Sequence, residues 1–120
     1  MRRHVFVKLG TMNQSAINRL NPIDRSAIER IVAPYLVRRD IGLKLFGSRA
    51  RGDARRASDI DLALVGRQPI AAADMAALRE ALEESPVPFR IDLVDYASAP
   101  AYLRAAIDRE GIPWPVQTSA

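Results

Sequence analysis

The chain has 120 residues and a mass of 13.3 kDa. That is room for one domain with a real core and none for a separate substrate domain, so what it acts on is expected to come from outside. A hydrophobic fraction of 48% and a charged fraction of 27% exclude extensive disorder. The net charge of +4 and pI near 10.1 favour polyanionic partners, and the absence of cysteine excludes disulfides and thiolate metal sites and fits a reducing compartment.

No run approaches the roughly 18 apolar residues of a membrane span. Met1-Arg2-Arg3 has the charge of a signal-peptide start, but the apolar run Val5-Phe6-Val7 behind it is broken by Lys8 and is too short. The expectation is a soluble, cytoplasmic protein with no membrane partner. Residues 1–20 hold no sustained period and are expected as an N-terminal arm, either loose or paired at a sheet edge, with the lone His4 at the surface.

Asn21-Pro22 starts a helix, with Asn as N-cap, Pro at the first helical position and Asp24 in the first turn. Ile28, Ile31, Val32 and Tyr35 form its buried stripe, Pro34 is expected to kink or break it near Ala33, and Arg38 and Arg39 occupy its last turn before Asp40 and Gly42. Ile41 to Phe46 reads as a buried strand running into a turn at Gly47-Ser48. Arg49 to Ser58 is basic: a helical turn, then loop. Asp59 to Val65 alternates with the two-residue period of a strand, Ile60, Leu62 and Leu64 on one face and Asp59, Asp61, Ala63 and Val65 on the other.

Gly66 and Pro69 end that strand, and a helix from Ala71 to about Glu84 follows with Met75, Leu78 and Leu82 as its core stripe. After the stiff Ser85-Pro86-Val87-Pro88 connection, Phe89 to Val94 reads as a third strand whose alternation turns Asp92 away from the apolar face. Ser98-Ala99-Pro100 opens a last helix with Leu103, Ala106 and Ile107 inward and Gly111 as C-cap. Ile112-Pro113-Trp114-Pro115 packs as a rigid apolar tail, and residues 116–120 form a fraying C-terminal tail. The domain is therefore expected to span residues 21–115.

Asp59 and Asp61, two apart on one strand face, offer hard oxygen donors suited to Mg²⁺, which completes its shell with substrate phosphates. The Gly47-Ser48 corner supplies what phosphates need: close backbone approach, amides and a hydroxyl. Arg49, Arg51, Arg55 and Arg56 crowd the same segment with positive charge. Singly, each feature is more often a solvated strand end, a turn or a solvated face. Together on a strand-turn-strand frame they point to a metal-assisted triphosphate site. Arg51-Gly52-Asp53 also matches an extracellular adhesion motif, a coincidence in an intracellular chain. The arginine segment contains no Phe, Tyr or Trp, so base stacking on nucleic acid is unsupported.

Gly47-Ser48, ten residues (49 through 58) and Asp59-Ile60-Asp61 resemble the signature of the polymerase beta-type nucleotidyltransferases. The fuller string GSRARGDARRASDIDLAL is similar to the minimal nucleotidyltransferases found beside HEPN toxins in toxin-antitoxin pairs. The resemblance implies an α/β (α+β) fold, a small mixed sheet with helices packed on one face. It implies two Mg²⁺ ions held by Asp59 and Asp61, with Asp92 as the third carboxylate and Asp95 as its rival. Gly47, Ser48, Arg49 and Arg51 would bind the nucleoside triphosphate. The implied reaction moves a nucleoside monophosphate, AMP from ATP, to a hydroxyl on a partner, a tyrosine of a HEPN-type toxin, making the chain an antitoxin. The alternatives are a weakly catalytic module that neutralises its partner by occlusion, and a transferase acting on a small-molecule or RNA hydroxyl. A homo-oligomer is left open.

Overall fold

The structure, a computed structural model, describes residues 15–116; the expectations for His4, for most of the arm and for the tail beyond Val116 lie outside the described residues. Described elements run in the order α1 (Ser15–Asn18), α2 (Pro22–Leu36), β1 (Gly42–Phe46), α3 (Ser48–Arg51), β2 (Ile60–Val65), α4 (Ala72–Glu83), β3 (Ile91–Asp95), a 3-10 turn (Tyr96–Ser98), α5 (Ala101–Glu110) and β4 (Ile112–Pro113). The four strands form one mixed sheet in the order β3-β2-β1-β4. The β1–β2 and β1–β4 pairs are antiparallel, and β2–β3 is parallel.

The expected alternation of β2 sets the layers. Ile60, Leu62 and Leu64 are fully buried with Leu43 and Leu45 of β1 and Leu93 of β3, beneath Ile28 and Val32 of α2 and Met75, Leu78 and Leu82 of α4. Each such aliphatic side chain contributes roughly 1.5–3 kcal/mol by leaving water. The layering departs from the expected single helical face at one place. Helix α5 lies on the opposite face, where Ile107 is buried with Phe46 and Ala63 and flanked by Leu103, Val65 and Val94. The physical reason is that Ala63, Val65 and Val94 make that side of the sheet apolar beyond the carboxylates, so it too needs cover.

Two further departures have local causes. Helix α2 runs unbroken through Pro34 to Leu36, because Pro34 falls in the last turn on the exposed side while Val32, Ala33 and Leu36 stay packed. Val37 N–H still donates to Ala33 O, and Arg39, just past the helix end, donates from Nη1 to Tyr35 O and so caps it from outside. Residues 15–20, expected in the arm, are instead fixed to the domain: Ala16, Ile17 and Leu20 belong to the main core. At the other end, β4 adds the shortest strand to the open edge of β1, where Pro113 costs no ladder bond. Trp114 is buried as expected, donating from its backbone to Leu43 O at 2.8 Å and from Nε1 to Glu29 Oε2 at 2.8 Å.

Candidate active site

β1 ends at Phe46, and the chain turns through Gly47 at φ 75°, ψ −159°, a region essentially closed to residues with a side chain. Helix α3, a single turn, begins at Ser48 and ends at Gly52 in the left-handed conformation. Sheet register sets the rest. Asp61 stands opposite Phe46 on one side and beside Asp92 on the other. A Cβ built on Gly47 would collide with Asp61 Oδ2 and lie 3.0 Å from its Cγ. The missing side chain is therefore what allows the Asp61 carboxylate to rest against the Gly-Ser corner.

Asp61 carries an electrostatic cost in this position. Its pKa is pushed up to about 6, first by burial and then by the charges of Asp92 and Asp59, with Arg51 and Arg90 opposing. Asp92 is exposed on β3 and points off the apolar face, as its alternation predicts. Asp59 lies one residue before β2 and is exposed. Among the described residues no three carboxylate or imidazole groups form a ready-made metal cage. The donor set nonetheless suits magnesium, which binds through one or two carboxylates plus substrate phosphates rather than in all-protein cages. A cation beside Asp61 would also relieve the repulsion that raises its pKa.

Asp95 is committed elsewhere. It is buried at the far end of β3, where Oδ2 accepts from Ile70 N–H and Ser98 Oγ, both at 2.8 Å, and Oδ1 accepts from Ala97 N–H at 3.2 Å. Its work is to hold the loop before α4 and cap the 3-10 turn.

The arginines divide. Arg51 lies near Asp61 and bridges Asp53 and Glu110, each at 3.2 Å. Arg49 is folded onto backbone carbonyls, Nη2 donating to Ser58 O at 2.7 Å. Arg55 and Arg56 line a cavity of about 330 Å³, with Arg49 as a further wall and Arg19, Ala16 and Leu20 on the α1 side; none of Asp59, Asp61 and Asp92 lines it. Two residues near the site escaped the sequence reading. Arg90 is one; Glu110 is the other, its Oε1 accepting from Gly47 N–H and from Arg51 Nη1, both at 3.2 Å. The only local sign of Arg90 is its place before β3, and nothing local marks Glu110, which is separated from Gly47 by the rest of the domain.

Residues 39–113 match the family model described as polymerase beta, nucleotidyltransferase, a span that contains the corner, all three carboxylates and Glu110. The chain belongs to the polymerase beta nucleotidyltransferases. Within this nucleotidyltransferase family it is 34% identical over 85 residues to a protein of Haemophilus influenzae named "Probable protein adenylyltransferase MntA", covering 71% of this chain and 69% of that one. A solved structure of a candidate minimal nucleotidyltransferase superimposes with a TM-score of 0.56 at 33% identity, covering 75% of this chain and 91% of that one. A toxin-antitoxin crystal structure with AMP-PNP gives 0.57 at 27% identity, covering 74% of each. The mixed sheet is the family's fold, and the chain is a nucleotidyltransferase. Among the described residues no helix is long and apolar enough to cross a membrane.

Proposed function

We propose that this nucleotidyltransferase moves AMP from ATP, with Mg²⁺, to a tyrosine hydroxyl of a HEPN-type toxin and thereby acts as its antitoxin. The observation that supports the chemistry is the packing of Asp61 against Gly47, with Asp92 beside Asp61 in register, so that the Gly47-Ser48 corner adjoins the carboxylates. The acceptor rests on likeness to the adenylyltransferase and toxin-antitoxin relatives.

In this reading Gly47 N–H and the Ser48 hydroxyl hold the β- and γ-phosphates, and Arg51 and Arg90 add positive charge beside Asp61. Asp59, Asp61 and Asp92 would hold two magnesium ions, whose chemistry is to neutralise the triphosphate and sharpen the attacking hydroxyl. Asp92 lies on the β3 edge strand, which together with α4, Phe89 and Arg90 borders an open groove of about 1160 Å³. Asp92 also accepts or steers the hydroxyl proton. The hydroxyl attacks the α-phosphorus in line and pyrophosphate leaves. The domain's share of the rate is positioning and charge, with no covalent intermediate.

Incubation with Mg²⁺, α-labelled ATP and the candidate toxin is expected to label a toxin tyrosine, and the Asp59→Asn, Asp61→Asn double variant to leave it unlabelled. Label that survives the double variant, or tight nucleotide binding without transfer to any partner, overturns the reading.

Glu110 has a consequence here, because a triphosphate and this carboxylate compete for Gly47 N–H and Arg51. Glu110→Gln exchanges an ionic hydrogen bond for a neutral one, a difference of about 1 kcal/mol. Titration calorimetry with a non-hydrolysable ATP analogue is expected to record roughly fivefold tighter binding; weaker binding would instead make Glu110 a support for the corner. The same contact favours a second reading, neutralisation by occlusion, which partner binding without any nucleotide affinity would establish.

A further inference from the structure

Sheet register places Asp61 and Asp92 but not Asp59. Strand β2 begins at Ile60, and the preceding residues from Gly52 to Ala57 are exposed and outside any helix or strand. The Asp59–Ile60 peptide is tied to the β3 side by Ile60 N–H, which donates to Arg90 O at 2.9 Å, and to α3 by Arg49. Its Nε donates to Ser58 O at 3.1 Å and to Asp59 O at 3.3 Å, its Nη2 donates to Ser58 O at 2.7 Å, and its Cζ stands 4.6 Å from the centroid of the Phe89 ring.

One guanidinium thus joins three segments of the site. Arg49 itself follows Ser48 in α3, Ser58 and Asp59 lead into β2, and Phe89 leads into β3, which carries Asp92. The arrangement uses the several donors and the delocalised charge of arginine together: Nε and Nη2 reach the carbonyls while Cζ lies over the ring. Lysine, a compact charge on a flexible stem, can make either contact but has no planar fork to make both at once. Apart from the Ile60–Arg90 bond, which reaches the β3 side and not the corner, the loop's restraints are Ser58 N–H to Arg55 O at 3.0 Å and Arg55 N–H to Ser58 Oγ at 2.7 Å, and both lie within the loop itself.

We propose that Arg49 is a positioning residue that locks Asp59 at a fixed place relative to the Gly47-Ser48 corner, and is not a phosphate ligand. The proposal rests on reading Asp59 and Asp61 as cation ligands. A phosphate contact would require Arg49 to abandon two carbonyls and an aromatic ring, whereas Arg51, near Asp61, already supplies charge at the corner.

The test compares wild type, Arg49→Lys and Arg49→Met in the full chain. Manganese binding followed by electron paramagnetic resonance is expected to weaken by about 10–100-fold in both variants, the range for losing an outer support of a metal ligand. Amide exchange at Asp59, Ile60 and Asp61 is expected to accelerate in both, with core amides of β1 and α4 unchanged. In transfer assays at saturating metal, kcat is expected to fall while the KM for ATP stays within about threefold of wild type. Arg49→Lys behaving as wild type, or a KM that rises in proportion to lost charge with amide exchange unaltered, overturns the proposal in favour of phosphate binding. The two layers separate cleanly. Wild type that binds no manganese defeats the cation reading, while the exchange comparison still decides whether Arg49 holds Asp59.

Discussion

Asp61→Asn is expected to abolish nucleotide transfer and, in the absence of metal, to make the protein more stable at pH 8. The two effects have opposite signs because one carboxylate is costly to the fold and useful to the site. Removing a cation ligand forfeits several kcal/mol of transition-state charge stabilisation, about three orders of magnitude in rate or more. The stability effect follows from proton linkage. Asp61 has a folded pKa of about 6 against an ordinary value of 3.8, so between these values the folded state binds more protons than the unfolded state. Stability contributed by this group therefore falls as pH rises through that window, and the full cost remains above it.

Because the Asp61 side chain is only half-buried, solvent screens much of this cost, leaving about 1 kcal/mol. Denaturant titrations in EDTA at pH 4 and pH 8 should show wild type losing stability relative to Asp61→Asn across that interval. Added Mg²⁺ should restore wild type and leave the variant unmoved. A variant less stable than wild type at pH 8 without metal would mean that Asp61 is held by attraction, contrary to its two acidic neighbours.

Gly47→Ala should damage both fold and site. The backbone at φ 75°, ψ −159° costs a non-glycine residue about 1–3 kcal/mol. The new Cβ would also collide with Asp61 Oδ2 and lie 3.2 Å from Asp61 Cβ, so the neighbour that must give way is the proposed cation ligand. A total loss of roughly 2–4 kcal/mol is expected in denaturant titrations, together with loss of nucleotide binding by calorimetry. Ser48→Ala is the control, since it removes a hydroxyl from an ordinary helical position and should cost little stability. If Gly47→Ala keeps wild-type nucleotide affinity, the corner is not where the triphosphate sits.

Periodicity carried much of the architecture. The alternation of β2 and β3 placed Asp61 and Asp92 on the face away from the main core, and burial of Ile60, Leu62, Leu64 and Leu93 agrees with it. The Asn21-Pro22 start and the stripe of α4 were equally legible, because caps and apolar spacing are local properties of the chain. The four-residue α1 was not, since Ala16, Ile17 and Leu20 complete a core stripe too short to stand out from the surrounding polar residues. Pro34 misled for a related reason: its penalty depends on whether packing persists beyond it, and the core side of α2 does persist.

By itself, then, the amino-acid sequence determined the strands, the main helices, the Gly-Ser corner and the sidedness of its carboxylates, all through patterns a few residues long. Only the tertiary structure decided what each charged side chain does. It turned Arg49 onto the carbonyls of Ser58 and Asp59, sent Arg55 and Arg56 to the α1 side, spent Asp95 on a loop and brought Glu110 to Gly47 N–H. Long polar side chains have no preference along the sequence for one partner over another. Their partners are chosen by register and packing between distant segments, and those exist only once the sheet has closed around its core.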